Sequence, residues 1–212
     1  MDGPARRERL ARSRLYLVLE ARPHGRAPRP FLDAALRGGV DVVQLREKTL
    51  SDEALAAAAE PFRAACEDHG ALFVLNDRPD LVEACGADGA HVGRSDAPVA
   101  EARVLVGPGR LIGVSASTVG ELDDVGGADY VGVTAFATPT KEDAVAGGLE
   151  LVRAAAQTLT IPWFAIGGVD LSNATEVAAA GAPGFAVVRA IRDAAYPEAA
   201  ARELRDALDR KQ

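Results

Sequence analysis

Apolar residues along this chain gather in short unbroken runs: Leu15–Leu19, Val40–Gln44, Ala71–Leu75, Gly89–Val92, Leu111–Val114, Tyr130–Val133, Trp163–Ile166 and Phe185–Val188. Runs of this kind suit parallel strands covered on both faces, where neither side of the pleat meets water. Between them lie Ala/Leu/Glu/Arg-rich stretches with helical spacing, clearest over Asp52–Asp68, Leu149–Thr158, Ser172–Ala180 and Pro197–Arg210. Start signals precede several of these: Ser51-Asp52-Glu53, Asp170-Leu171-Ser172, and Ser117-Thr118 ahead of Glu121. Gly86-Ala87-Asp88, Gly127-Ala128-Asp129 and Gly181-Ala182-Pro183 each stand just before a strand, and a Gly there supplies the left-handed stop that a short helix-to-strand loop needs.

Eight strand–helix units predict an α/β protein, a closed (β/α)8 TIM barrel in a single domain over residues 15–212. An open doubly wound sheet is the competitor, since one miscounted strand would break the closure. The polar clusters favour the barrel, because each follows the C-terminal end of a different run, where barrels carry their active sites. The length of 212 residues lies within the range of such barrels. No composition shift marks a second domain.

Composition narrows the possible partners. With 48% hydrophobic and 26% charged residues the chain has the balance of an ordinary globular protein. A net charge of −7 argues against nucleic acid or an anionic membrane as the main partner. Any anion site must then be a local concentration of positive charge. Cys66 and Cys85 fall in stretches read as helices, which favours free thiols in a reducing compartment, and no apolar run is long enough to span a bilayer. The expected location is cytoplasmic. The Arg-rich start superficially suggests a signal peptide, but Glu20-Ala21-Arg22 follows the apolar run at once, so residues 1–14 read as a disordered leader.

Candidate chemistry lies after the strands. If the second strand continues through Gln44-Leu45-Arg46-Glu47-Lys48, then Gln44, Arg46 and Lys48 share one face and aim an amide and two cations at one point. That combination suits a polyphosphate or another multiply charged anion, the plainer reading being a solvated strand end. Asp77 and Asp96 end neighbouring strands and suit a hard oxygen-preferring cation, Mg²⁺ completed by water and phosphate oxygens. They could instead cap the helices expected near Pro79 and Pro98, or form an acid–base dyad, although Arg46 and Lys48 would hold both ionised. Thr138-Pro139-Thr140-Lys141, in a long Gly-containing loop, offers two hydroxyls and an ammonium to a phosphate. Gly167-Gly168 and Val188-Arg189 end the last two strands, where barrels often hold a substrate phosphate on backbone N–H groups. His91 ends the fourth strand and reads as a hydrogen-bonded structural histidine.

Together, Val43-Gln44-Leu45-Arg46-Glu47-Lys48, Asn76-Asp77-Arg78, Gly89-Ala90-His91-Val92-Gly93, Ile112-Gly113-Val114-Ser115, Thr138-Pro139-Thr140-Lys141 and Ala165-Ile166-Gly167-Gly168 resemble the motifs of the thiamine phosphate synthase family. The likeness runs over nearly the whole chain from Leu15. It implies a (β/α)8 barrel that joins hydroxymethylpyrimidine diphosphate to a carboxythiazole or hydroxyethylthiazole phosphate, releasing diphosphate with Mg²⁺ by a dissociative substitution. By position, the resemblance implies that Gln44, Arg46, Lys48, Asn76, Ser115 and Lys141 bind the pyrimidine diphosphate and that Asp77 and Asp96 bind the metal. Thr138, Thr140, Gly168, Val188 and Arg189 would hold the thiazole phosphate.

Four departures from the family pattern stand out. Thr134-Ala135-Phe136 after Val133 replaces a usual Gly-Pro-aliphatic-Phe, Arg189 replaces a small Ser, Gly93-Arg94-Ser95-Asp96 replaces a more acidic version, and Glu20 replaces an Asp. They leave the diphosphate and metal half intact and bear on the thiazole half. A thiazole tautomerase of the same ancestry would lack the diphosphate residues kept here. A non-catalytic binding paralogue has only the departures after the sixth and eighth strands in its favour.

Overall fold

The computed structural model of the chain describes residues 1–94, 96–136 and 147–210. Eight parallel strands close into a barrel in chain order: β1 (Leu15–Leu19), β2 (Val42–Leu45), β3 (Leu72–Asn76), β4 (Gly89–Val92), β5 (Leu111–Ala116), β6 (Tyr130–Thr134), β7 (Trp163–Ile166) and β8 (Phe185–Val187). β8 returns to β1 with Leu15 opposite Phe185, so no strand edge is left unpaired. Around them run α1 (Gly3–Arg12), α2 (Arg29–Arg37), α3 (Asp52–His69), α4 (Val99–Val106), α5 (Val119–Asp123), α6 (Gly148–Thr158), α7 (Ala174–Ala179), α8 (Arg189–Arg192) and α9 (Pro197–Asp209). The closed barrel excludes the open-sheet alternative.

Alternation along the strands divides the core in two. Tyr16, Val18, Val42, Leu72, Val74, Leu111, Tyr130, Phe164 and Ala186 fill the barrel interior. Their neighbours, among them Leu17, Val43, Phe73, Val131 and Ala165, face outward onto Leu32, Phe62, Leu151 and Leu204 of the helices. Each fully buried large side chain stabilises the fold by roughly 1.5–3 kcal/mol. Gly86, Gly127 and Gly181 all have positive φ (64°, 78° and 113°), but only Gly181 closes a helix, α7; Gly127 stands four residues past α5, and Gly86 ends a turn rather than a helix. Ser51 caps α3 through the Ala54 N–H at 3.3 Å, and Thr118 with Glu121 forms a capping box on α5.

Four expectations need correction. Residues 3–12 are not a disordered leader but the helix α1, capped by Asp2, with Leu10 inserted among the interior residues as a plug. Its sequence lacks an apolar stripe, so its order comes from tertiary contacts that no local pattern announces. Arg6 pairs with Asp88 at 2.7 Å and Arg7 with Asp129 at 2.8 Å, across the barrel floor. Second, β2 ends at Leu45, so the two-residue alternation does not extend to Arg46 and Lys48. Third, no full helix follows β3; a single 3-10 turn, Pro79–Leu81, stands in its place, and Cys85 lies in the turn beyond it. Fourth, α7 begins at Ala174, two residues later than Ser172.

Candidate active site

The C-terminal ends of the strands form the opposite rim. Gln44 ends the inward row of β2 and is buried, with only 4% of its surface exposed. Its Nε2 donates to the Tyr16 hydroxyl at 2.8 Å, and that hydroxyl lies 2.9 Å from the hydroxyl of Tyr130. Arg46 follows half-buried, its backbone N–H still bonded to Leu19 O at 2.9 Å, and Lys48 stands exposed beyond it.

Asp77 leaves β3 with φ 57°, a left-handed conformation that aspartate tolerates better than most residues. Its backbone N–H donates to His91 O, which keeps it beside β4 while the side chain turns along the rim. There it meets Asp96, within hydrogen-bonding reach. Buried Asn76 donates from Nδ2 to Asp77 Oδ2 at 2.5 Å, and Gly93 N–H donates to Asp96 Oδ2 at 2.8 Å. Burial and the neighbouring Asp96 push the Asp77 carboxyl above the usual carboxylate range, and the Asn76 hydrogen bond and the Arg46 charge only partly offset this. Of the two cations expected to keep the pair ionised, Arg46 acts on the Asp77 carboxyl, lowering it by less than burial and Asp96 raise it. Neither carboxylate is a helix cap: Arg78 and Pro98 occupy those positions without side-chain cap bonds.

A pair of carboxylates crowded in this way is a site that a hard divalent cation relieves. The donors are all oxygen, which fits Mg²⁺ rather than a nitrogen- or sulfur-preferring metal. Among the described residues no group of three or more His, Cys, Asp or Glu side chains could surround an ion. The remaining positions would fall to water and substrate oxygens.

Ser115 is held from two sides. His91 Nε2 lies 3.0 Å from its hydroxyl, consistent with a structural role for the histidine. Arg94 crosses from the β4 loop, donating from Nε to Ser115 O at 2.9 Å and from Nη2 to Glu121 O at 2.6 Å. Sequence alone does not single out Arg94, since nothing in its neighbourhood says that it ties the loop after β4 to β5 and α5. The apolar runs likewise mark Tyr16 and Tyr130 only as strand residues. Thr134 is buried, and its hydroxyl pairs with that of Ser117 at 2.9 Å.

Gly167 and Gly168 have φ of 92° and 63°. A Cβ on Gly167 would lie 2.4 Å from Phe136 O, so this turn requires glycine. Gly168 is exposed on the rim, and its carbonyl accepts from Asn173 Nδ2 at 2.8 Å. Val188 is half-buried among the interior residues, and exposed Arg189 opens the four-residue α8. The Arg189 charge acts on Asp170 and Asp193. Asp193 itself is paired with Arg192 at 2.6 Å and His24 at 3.3 Å. Thr138, Thr140 and Lys141 lie outside the described residues. The structure thus gathers Gln44, Arg46, Asn76, Asp77, Asp96 and Ser115 on adjoining strand ends and sets Gly168, Val188 and Arg189 on the ends of β7 and β8.

Comparison with known proteins agrees with this arrangement. A family model described as thiamine monophosphate synthase matches residues 15–191. The thiamine-phosphate synthase of Thermobifida fusca is 47% identical over 207 residues, covering 95% of both chains. That of a Nostoc species is 43% identical over 98% of this chain, which spans 59% of the longer Nostoc protein. Among solved structures, thiamine phosphate pyrophosphorylase from Pyrococcus furiosus superposes with a TM-score of 0.84 at 32% identity, covering 96% of this chain and 97% of that one.

Proposed function

Because the chain belongs to the thiamine monophosphate synthase family, we infer that it is a transferase that joins hydroxymethylpyrimidine diphosphate to a thiazole phosphate. The observation that carries the reading is the meeting of Asp77 and Asp96 beside Arg46 at the ends of β3 and β4. In the reaction the C–O bond to diphosphate breaks and its electron pair leaves with diphosphate. The thiazole ring nitrogen then gives its lone pair to the pyrimidinyl carbon, forming the new C–N bond.

Each half of the rim has a part in this. Gln44 and Asn76 hold the pyrimidine diphosphate at the strand ends, and the Ser115 hydroxyl, fixed by His91, offers it a further hydrogen bond. Arg46, Lys48 and Lys141 neutralise charge as it develops on the departing diphosphate. Asp77 and Asp96 would hold Mg²⁺. When bound, the ion supplies further positive charge to the leaving group. Gly168, Val188, Arg189, Thr138 and Thr140 hold the thiazole phosphate. The carbon is activated by departure of its leaving group, so no protein nucleophile or strong base is required.

The same reading places the enzyme in the cytoplasm. No helix among the described residues is long and apolar enough to cross a membrane, and Cys66 and Cys85 are free and buried thiols.

The test is diphosphate release by the full chain with both substrates, with Mg²⁺ and with chelator. Release that needs both substrates and Mg²⁺ is expected. Turnover of a thiazole phosphate alone without metal would indicate a tautomerase, and calorimetric binding without turnover a binding paralogue.

A further inference from the structure

Two tyrosine hydroxyls sit inside an otherwise apolar barrel core. Tyr16 is 2% exposed and Tyr130 1%, surrounded by Val18, Val42, Leu72, Val74, Leu111 and Phe164. A buried hydroxyl is costly unless bonded, and phenylalanine would fill nearly the same volume without a polar atom to satisfy. These two satisfy each other at 2.9 Å, and the pair opens in one direction, onto Gln44 Nε2 at 2.8 Å. Their rings are fixed. Phe164 meets Tyr16 edge-on with centroids 5.3 Å apart and Tyr130 edge-on at 6.0 Å. Tyr130 has room only because residue 113 is glycine, where a Cβ would stand 2.1 Å from the ring carbon Cζ.

A carboxamide can present either end to a ligand, and the group it is already bonded to decides which. With Nε2 on Tyr16, Gln44 has its carbonyl oxygen and its second N–H left to offer. Among the described residues that oxygen accepts no hydrogen bond, and it is not sealed from solvent. An acceptor beside a donor is complementary to a ring amino group next to a ring nitrogen, the pattern by which Gln reads an aminated heterocycle.

We propose that Tyr16 and Tyr130 are positioning residues that act through Gln44, their hydroxyl relay fixing the carboxamide so that the site selects an aminopyrimidine. The relay touches no substrate itself. It stores the orientation of Gln44 in the rigid centre of the barrel, so the amide need not be ordered when the substrate arrives. This rests on the reading of Gln44 as a contact of the pyrimidine substrate.

The experiment uses Tyr130→Phe, which removes a hydroxyl one step from Gln44 and keeps the ring. The KM for the aminopyrimidine diphosphate should rise roughly two- to tenfold with kcat kept. The KM for the analogue with hydrogen in place of the ring amino group should barely change, so discrimination between the two narrows. In a Gln44→Met background, Tyr130→Phe should add nothing. Tyr16→Phe, which leaves Nε2 without its partner, should show the same pattern more strongly and serves if the first variant folds poorly. Equal weakening of both pyrimidines, no effect of either tyrosine variant, or multiplicative losses in the double variant would overturn the relay. If Gln44→Met alone leaves the KM for the aminopyrimidine diphosphate untouched, the substrate role of Gln44 fails, and the relay fails with it.

Discussion

The guanidinium of Arg6 on α1 binds Asp88 at the foot of β4, Nε to Oδ1 at 2.7 Å, while Asp88 Oδ2 accepts the Phe73 N–H of β3 at 3.0 Å. One carboxylate thus ties the N-terminal helix to two strands, and both partners of the ion pair are largely buried. Asp129 repeats the arrangement, accepting from Ile112 N–H at 2.8 Å and from Arg7 at 2.8 Å. Asp41 does the same for the Leu15 N–H at 3.0 Å, with Arg205 as its cation at 2.7 Å. The Gly-Ala-Asp repeat in the sequence therefore carries Asp88 and Asp129 to the strand feet rather than ending helices. Its aspartates seal the floor of the barrel.

Removing Arg6 should destabilise the fold without touching the chemistry. Arg6→Ala loses charge-assisted bonds to Asp88 and to Gly109 O, and is expected to cost about 1.5–3 kcal/mol. A lower urea midpoint at constant slope, with kcat unchanged below the transition, is the expected result. An unchanged midpoint would mean that α1 does not contribute to holding the barrel closed.

Asp77→Ala and Asp96→Ala should each remove Mg²⁺-dependent turnover while leaving a folded barrel. Both residues stand on the rim, outside the interior core. Losing an element that stabilises developing charge costs roughly 10²–10³ in rate. Near-normal activity of both variants at limiting Mg²⁺ would rule out the metal assignment.

Arg46→Ala and Lys141→Ala should weaken the pyrimidine diphosphate far more than the thiazole phosphate. Each is read as a charge-assisted partner of diphosphate oxygens, worth about 1.5–3 kcal/mol. Calorimetric titration of each substrate separately measures the difference. Equal weakening of both would show the two half-sites to be misassigned.

Arg189→Ser tests the second half-site. The residue is exposed, and its charge lies toward Asp170 and Asp193 rather than in a close pair with Asp193, whose carboxylate Arg192 and His24 take. A phosphate role predicts a rise of roughly tenfold in the KM for thiazole phosphate. An unchanged KM would exclude that role. A lower one would show that Arg189 obstructs the site and that the chain prefers another second substrate.

By itself the sequence determined the barrel and the composition of its rim. Parallel strands buried on both faces leave unbroken apolar runs, and three of the eight, Leu15–Leu19, Gly89–Val92 and Trp163–Ile166, match their observed limits. Polar residues placed directly after such runs must fall at one end of a closed barrel, so Gln44, Asp77, Asp96 and Ser115 were legible before any contact was known. What tertiary structure alone decided lies at longer range. The helix α1 has no apolar stripe to reveal it and exists because Asp88 and Asp129, far along the chain, receive its arginines. Arg94 ties the loop after β4 to β5 and α5, and Tyr16 meets Tyr130 across 114 residues of sequence. Periodicity records which face of an element is buried, but not which distant side chain it will meet. The pairings that orient Gln44 and fix Ser115 arise only when the barrel closes.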